Sequence, residues 1–257
     1  QYKLGSAIEY PFYIILGILT GLAASIFIKS LNFVEIEFER LKSIPVPLKT
    51  CLGGLFVGII ALSFPHVLGN GFDVTSDLIS LDSDESGNIV VGKNLTNNEN
   101  SDSIIDELLI FIISIMALKI IATSVSIGSG GSGGIFTPSL FIGAAIGAGM
   151  GLFMNDLGII THPGAFALVG MAAFVASTTR ATLTAIVLLF EMTATYEIIL
   201  PLMLSCVVAD ATCYVISKES AYTSKLARMG INIDLGAEQD LMRMITVKEA
   251  MSNEVMT

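Results

Sequence analysis

The chain has 257 residues, 53% of them hydrophobic and only 14% charged, and its mean hydropathy is +0.77. A soluble domain carries about 45–50% apolar and about 25% charged residues, so this surplus of apolar side chains excludes an ordinary water-soluble globule and makes lipid the natural solvent. The net charge of −10, with a large share of the acid between Asp73 and Glu107, argues against nucleic acid as a partner, which needs clustered Lys and Arg.

In chain order, residues 10–30 form a first apolar span, enough at ~1.5 Å per residue to cross a ~30 Å hydrocarbon core. Residues 31–41 carry this helix out into water, with Glu35, Glu37, Glu39 and Arg40. Residues 48–64 are a second span, in which Gly53, Gly54 and Gly58 are expected to allow close helix contact. The stretch from about 73 to 107 is acidic and reads as a solvated loop. Within it, Asn94-Leu95-Thr96 fits the short and common glycosylation pattern. Residues 108–127 and 140–157 are further spans, followed by apolar segments at 166–176, 183–193 and 198–216. Several of these are too short to cross alone and are punctuated by glycine. Such segments suggest broken or re-entrant helices, whose irregular backbone is tolerated at membrane depth only where it is buried or lines a cavity. The expected fold is therefore all-α: a polytopic membrane bundle with broken and re-entrant helices.

Arg40, Lys42 and Lys49, and again Lys218, Lys225 and Arg228, put their connections in the cytoplasm by the positive-inside bias, which leaves the acidic loop outside. After Gly230 the chain turns amphipathic, and residues 231–257 read as a soluble linker. Cys51, Cys206 and Cys213 lie in apolar segments without metal-ligand spacing and read as small buried hydrophobes. His66 and His162 stand singly beside prolines, and no paired carboxylates or Ser/His set suggests an enzyme. No cofactor and no metal is expected.

The sharpest feature is Gly128-Ser-Gly-Gly-Ser-Gly-Gly-Ile-Phe-Thr-Pro138, which leads into the helical run 139–151. Glycines let backbone N–H groups converge without Cβ obstruction. A helix starting near Gly134 or Ile135 leaves its first N–H groups without intrahelical partners, and these donors with the positive dipole end make an anion site. Pro138 fits the first turn, where its missing donor costs little. A nucleotide P-loop would need a lysine that is absent here, and a dinucleotide fingerprint would need a soluble strand before it. A slack Gly/Ser connector fits less well, because Ile-Phe-Thr-Pro resumes order at once.

These residues resemble the Gly-Gly-Ile-Phe-Ala-Pro signature of the CLC family of chloride channels and proton-coupled chloride exchangers. Residues 166–184, Phe190-Glu-Met-Thr193, Ile199-Leu-Pro-Leu-Met203 and Ala221-Tyr-Thr-Ser-Lys-Leu226 are similar to the next family segments, in order. The resemblance reaches to about residue 230 and is less specific in the first spans. It implies a CLC-like fold and chloride transport, as a voltage-gated-type channel or a proton/chloride antiporter. It implies that the backbone N–H groups of Ile135 and Phe136, beside Gly133 and Gly134, contact a central chloride together with the Tyr222 hydroxyl. A hydroxyl and amides hold an anion with partial charges, whereas a full Lys or Arg would slow its release. Arg180, at a helix junction, is expected to cap backbone carbonyls. Glu191, an acid in an apolar segment, is expected to be structural rather than a proton carrier. Ser132 and Thr182 stand where the family often has proline, which removes no proposed donor.

The family's first half holds a serine-bearing anion contact and a gating glutamate in a Gly-Arg-Glu-Gly-Pro stretch, and neither pattern occurs here. Residues 1–230 therefore resemble the second half of a transmembrane domain, Gln1 is not expected to be a native start, and the chain alone is not expected to transport. Met244-Ile-Thr-Val-Lys-Glu-Ala-Met-Ser252 resembles the opening of a CBS domain, a nucleotide-sensing module outside this chain. The expected partners are chloride, the lipid bilayer, the first half of the same protein and a second copy in a homodimer, with segments 183–193 and 198–216 as interface candidates. The expected location is the cell membrane, multi-pass. Alternatives are transport of another small anion, such as fluoride or nitrate, or a membrane-tethered CBS sensor.

Overall fold

The computed structural model describes residues 10–41, 44–83, 89–90, 101–157, 162–194 and 196–229. The chain runs α1 (Tyr10–Arg40), α2 (Val46–Ser63), α3 (Phe72–Ile79), β1 (Asp82–Ser83), β2 (Ile89–Val90), α4 (Ser101–Gly128), α5 (Phe136–Asp156), α6 (Pro163–Thr179), α7 (Thr182–Thr193), α8 (Ile199–Ile216) and α9 (Ser224–Arg228). Short 3-10 turns stand at Pro65–Val67 and Tyr196–Ile198. Among the described residues, five helices are long and apolar enough to cross a membrane, on α1, α2, α4, α5 and α8. The β1–β2 antiparallel pair has two residues a side and leaves the all-α class unchanged.

Helix α6 is the centre of the bundle. Every residue from Pro163 to Thr178 is buried, and a helix that is apolar all round belongs in an interior. Its seventeen residues cover only about 25 Å, so it is shorter than a full crossing. Pro163 starts it in the first turn. Arg180 ends it in the left-handed region, at φ 61°. Helices α1, α3, α5, α7 and α8 all pack on α6. The tightest crossing is with α5, where backbone meets backbone. A Cβ at Gly147 would stand 2.0 Å from the Phe166 carbonyl oxygen, and one at Gly170 would stand 2.4 Å from the Gly143 oxygen.

Three expectations need correction. On α2 only Gly53 meets a neighbour closely, at 2.3 Å from Ser129 Oγ, while a Cβ at Gly54 or Gly58 would find nothing within 4 Å. The reason is that α2 touches the bundle along one narrow line, with only Gly53 and Ala61 buried. Cys51 is likewise exposed on α2, although Cys206 and Cys213 are buried. The loop expected from about 73 to 107 is shorter than its acidity suggested. Its first part is α3, whose Val74 and Leu78 are buried, and Leu81 is fully covered. Packing of this one apolar face on α5 and α6 overrides the polar composition around it. Its last part, from Ser101, belongs to α4. Asn94 and residues 231–257 lie outside the described residues.

The two basic connections gather at one end of the bundle. Lys49 Nζ donates to the Phe38 carbonyl of α1 at 2.7 Å, and Lys225 on α9 pairs with Glu35 of α1 at 2.6 Å. The close α5–α6 crossing yields a direct test. Gly147→Val forces a side chain into a carbonyl and should destabilise by about 1–3 kcal/mol. Gly54→Ala should be neutral to slightly stabilising. Thermal unfolding of the detergent-solubilised protein, followed by size-exclusion chromatography, separates the two.

Candidate anion site

The glycine-rich turn first closes α4 and then opens α5. The N–H of Ser129 donates to Val125 O, that of Gly130 to Ile127 O and that of Gly131 to Ser126 O, each at 3.0 Å. Gly130 adopts φ 91°, a conformation that glycine takes at little cost. From Gly133 onward the chain is no longer tied in this way. Ile135 is the N-cap of α5 and offers no side-chain cap. Its carbonyl accepts from Ser139 N–H at 3.0 Å and from Ser139 Oγ at 2.8 Å. The N–H groups of Ile135 and Phe136 have no acceptor among the described residues. They sit where the helix dipole is positive, so the geometry favours an anion. Pro138 falls in the first turn of α5, where it removes a donor that would be unpaired anyway.

A cavity of about 280 Å³ joins Gly133, Gly134, Thr137 and Pro138 to Val57, within α2, and to Lys119, within α4. Lys119 is 3% exposed. Its Nζ donates to the carbonyls of Val67 and Gly69, both at 2.8 Å, and lies 5.2 Å from the Phe141 ring centroid. The ammonium thus satisfies carbonyls of the irregular link between α2 and α3 beside the glycine turn. Sequence reasoning missed this residue, although a lysine inside the apolar run 108–127 was a visible signal. Ile135, Phe136 and Tyr222 are not among the walls of this cavity. Phe136 is 36% exposed and Tyr222 52% exposed, so this chain leaves that side of the turn open.

Tyr222 and the start of α5 are anchored to the same turn of α6. Ala221 N–H donates to the Thr178 carbonyl at 2.9 Å. Thr178 Oγ1 in turn donates to Ser139 Oγ at 3.4 Å, and Ser139 Oγ bonds Ile135 O. The Tyr222 hydroxyl has no hydrogen-bond partner among the described residues, while its backbone N–H donates to Ser220 Oγ at 3.3 Å. The chain therefore ties the segments carrying two peptide donors and a phenol to one end of a buried helix, and among the described residues none of these donors has a partner.

Arg180 is placed elsewhere. Its guanidinium donates to Asp210 O at 2.8 Å, to Asp210 Oδ1 at 2.7 Å and to Ser217 O, and it lies 5.4 Å from the Tyr214 ring centroid. Thr182 Oγ1 donates to Asp210 Oδ2 at 2.9 Å. Arg180 thus bonds the Asp210 carbonyl within α8 and the Ser217 carbonyl at its C-cap, and so ties the α6–α7 break to α8. Asp210, the carboxylate that completes this lock, escaped sequence reasoning, although an acid in the run 198–216 could have flagged it. Glu191 is exposed on α7 and makes no ion pair among the described residues, so the fold does not bring it to the other candidates.

Fold and site together define an integral, multi-pass membrane protein with helix ends brought inside the bundle. The chain belongs to the voltage gated chloride channel family, whose pattern matches residues 2–214, and members of this family are transport proteins. A putative chloride channel protein ClcB-like from Ralstonia nicotianae is 34% identical over 218 residues, which cover 84% of this chain and 45% of that protein. The chloride channel protein CLC-f of Arabidopsis thaliana is 34% identical over 214 residues, covering 79% of this chain and 25% of that one. Among solved structures, a slow cyanobacterial Cl⁻/H⁺ antiporter superposes with a TM-score of 0.69 at 30% identity, over 89% of this chain and 49% of its own. A eukaryotic CLC transporter shares the fold, with a TM-score of 0.67. The chain spans about half the length of the bacterial relatives it matches.

The Arg180–Asp210 lock can be broken selectively. The Arg180 side chain is 7% exposed, so Asp210→Ala leaves a nearly buried cation without its carboxylate. A loss of about 3 kcal/mol is expected, at the low end for a broken buried pair because Asp210 is partly exposed. Asp210→Asn, which keeps an acceptor, should lose less, and the melting temperatures of the purified variants rank the three proteins.

Proposed function

We propose that residues 1–230 are the second half of a CLC-type transport domain that moves chloride across a membrane, as a channel or as a proton/chloride exchanger. In this reading Ile135 and Phe136 donate their backbone N–H groups to chloride, with Gly133 and Gly134 keeping the approach open. The Tyr222 hydroxyl donates from α6's other neighbour, and Arg180 and Pro138 hold the frame. The single observation that carries the reading is the pair of amides at the start of α5 with no acceptor among the described residues, next to glycines that line a cavity reaching Val57 and Lys119. The named relatives and the cyanobacterial antiporter support chloride as the ion. The open side of the turn, at Phe136 and Tyr222, is where the first half of the domain would complete the shell. The exposed apolar residues Leu183, Val187, Leu200, Met203 and Val207 on α7 and α8 support a homodimer contact there. Residues 231–257 would lead to a cytoplasmic CBS domain, where a nucleotide would bind outside this chain.

Proteoliposomes carrying the complete protein test the reading. Chloride flux is expected, and the 257-residue chain alone should give none. A hydrogen bond to a charged partner is worth about 1.5–3 kcal/mol, so Tyr222→Phe should weaken chloride binding by about tenfold or more, read by calorimetry. Unchanged affinity and selectivity in that variant would remove Tyr222 from the ligand set. Absence of flux in the complete protein would favour a membrane-tethered sensor instead, and faster passage of fluoride or nitrate than of chloride would reassign the ion.

A further inference from the structure

The C-terminal end of α1 carries a carboxylate in an unfavourable place. Glu35 sits in the last turns of a 31-residue helix, near the negative end of its dipole, where an anion is disfavoured. Two cations on α9 make the placement tolerable. Glu35 Oε1 lies 2.6 Å from Lys225 Nζ, and Oε2 pairs with Arg228. Arg228 also donates to the Asn32 carbonyl at 3.4 Å. Lys225 and Arg228 are three residues apart and so share one face of α9. A helix of five residues has no stability of its own, so its position depends on its ties. Upstream the tie is Ala221 N–H to Thr178 O, and downstream it is Glu35. Tyr222 stands between the two. The same turn of α1 also abuts the start of the glycine-rich turn, since a Cβ on Gly128 would lie 3.0 Å from the Glu35 backbone nitrogen.

We infer that Glu35 is a positioning residue for the anion site, its one carboxylate shared by Lys225 and Arg228 so that the Tyr222 turn is held against the stretch of α1 that braces the glycine-rich turn. The inference rests on Tyr222 being a chloride ligand. Glu35 itself touches no ion. It removes freedom from the short segment that carries the hydroxyl, and a preorganised donor binds more tightly than a wandering one.

The test is a cycle of chloride affinities measured by calorimetry on the complete protein: unaltered, Glu35→Gln, Tyr222→Phe and both together. Coupled groups show non-additive losses. Glu35→Gln should weaken binding by about fivefold when Tyr222 is present and by less than about twofold in the Tyr222→Phe background. A merely structural role would lower the melting temperature and weaken binding alike in both backgrounds, and that result overturns the inference. So does an unchanged affinity in Glu35→Gln while Tyr222→Phe remains impaired, an outcome that leaves the ligand reading standing. Tyr222→Phe without effect overturns both together. Should Glu35→Gln fail to fold, Lys225→Gln opens the same clamp from its exposed side. It is expected to show the same Tyr222-dependent loss, and equal losses in the two backgrounds would overturn the inference.

Discussion

A backbone N–H left unpaired in hydrocarbon costs several kcal/mol, and at the start of α5 the amides of Ile135 and Phe136 have no acceptor among the described residues. Most of the surrounding architecture follows from bringing this helix end into the bundle. The chain must stop α4, reverse and begin α5 within a few residues. It does so by using Gly130 and Gly131 to cap the last carbonyls of α4. Ser139 then takes the Ile135 carbonyl twice, through its N–H and its hydroxyl. The buried α6 fixes the depth, because α5 is pressed against it with no side chains between at Gly143, Gly147 and Gly170.

Charge is distributed around this turn by a consistent rule. Full charges are spent on broken backbone or on one another. Lys119 donates to two carbonyls of the link between α2 and α3. Arg180 donates to the carbonyls of Asp210 and Ser217 and to the Asp210 carboxylate. Glu35 is neutralised by Lys225 and Arg228. Each is the expected companion of irregular helix ends in an apolar solvent, where an unpaired charge is expensive and a paired one fixes geometry. The donors left over at Ile135, Phe136 and Tyr222 carry only partial charges.

Much of this was legible in the sequence, and the exceptions have physical causes. Spans such as α4 and α8 announce themselves by continuous hydrophobicity, and the residue types at 128–138 state a turn followed by a helix start. The Arg180 cap was legible because a lone arginine at a helix break has carbonyls near it. Helix α3 was hidden because its apolar residues, Val74 and Leu78, occupy one face amid acids, and only tertiary packing reveals that this face is covered. Gly54 and Gly58 look like the packing glycines Gly147 and Gly170. Which glycine meets a backbone depends on crossing geometry, which no local pattern encodes. Lys119 and Asp210 stood in plain view inside apolar runs, but their partners lie on segments far away in sequence, so the pairing required the fold.

The open face of the turn is the last consequence of the same constraint. An amide pair inside a membrane protein must be solvated by something: by water in a vestibule, by an ion or by another segment of protein. Phe136 and Tyr222 are exposed, and Gly133 and Gly134 line the cavity that reaches Lys119. An ion held between such donors exchanges its hydration shell for dipoles of fixed direction. Donors that carry only partial charges stabilise an ion enough to let it enter and weakly enough to let it leave. A full positive charge at a site of this kind deepens the well and slows release of the ion. Lys119 is occupied with the carbonyls of Val67 and Gly69 and so satisfies the backbone beside the turn.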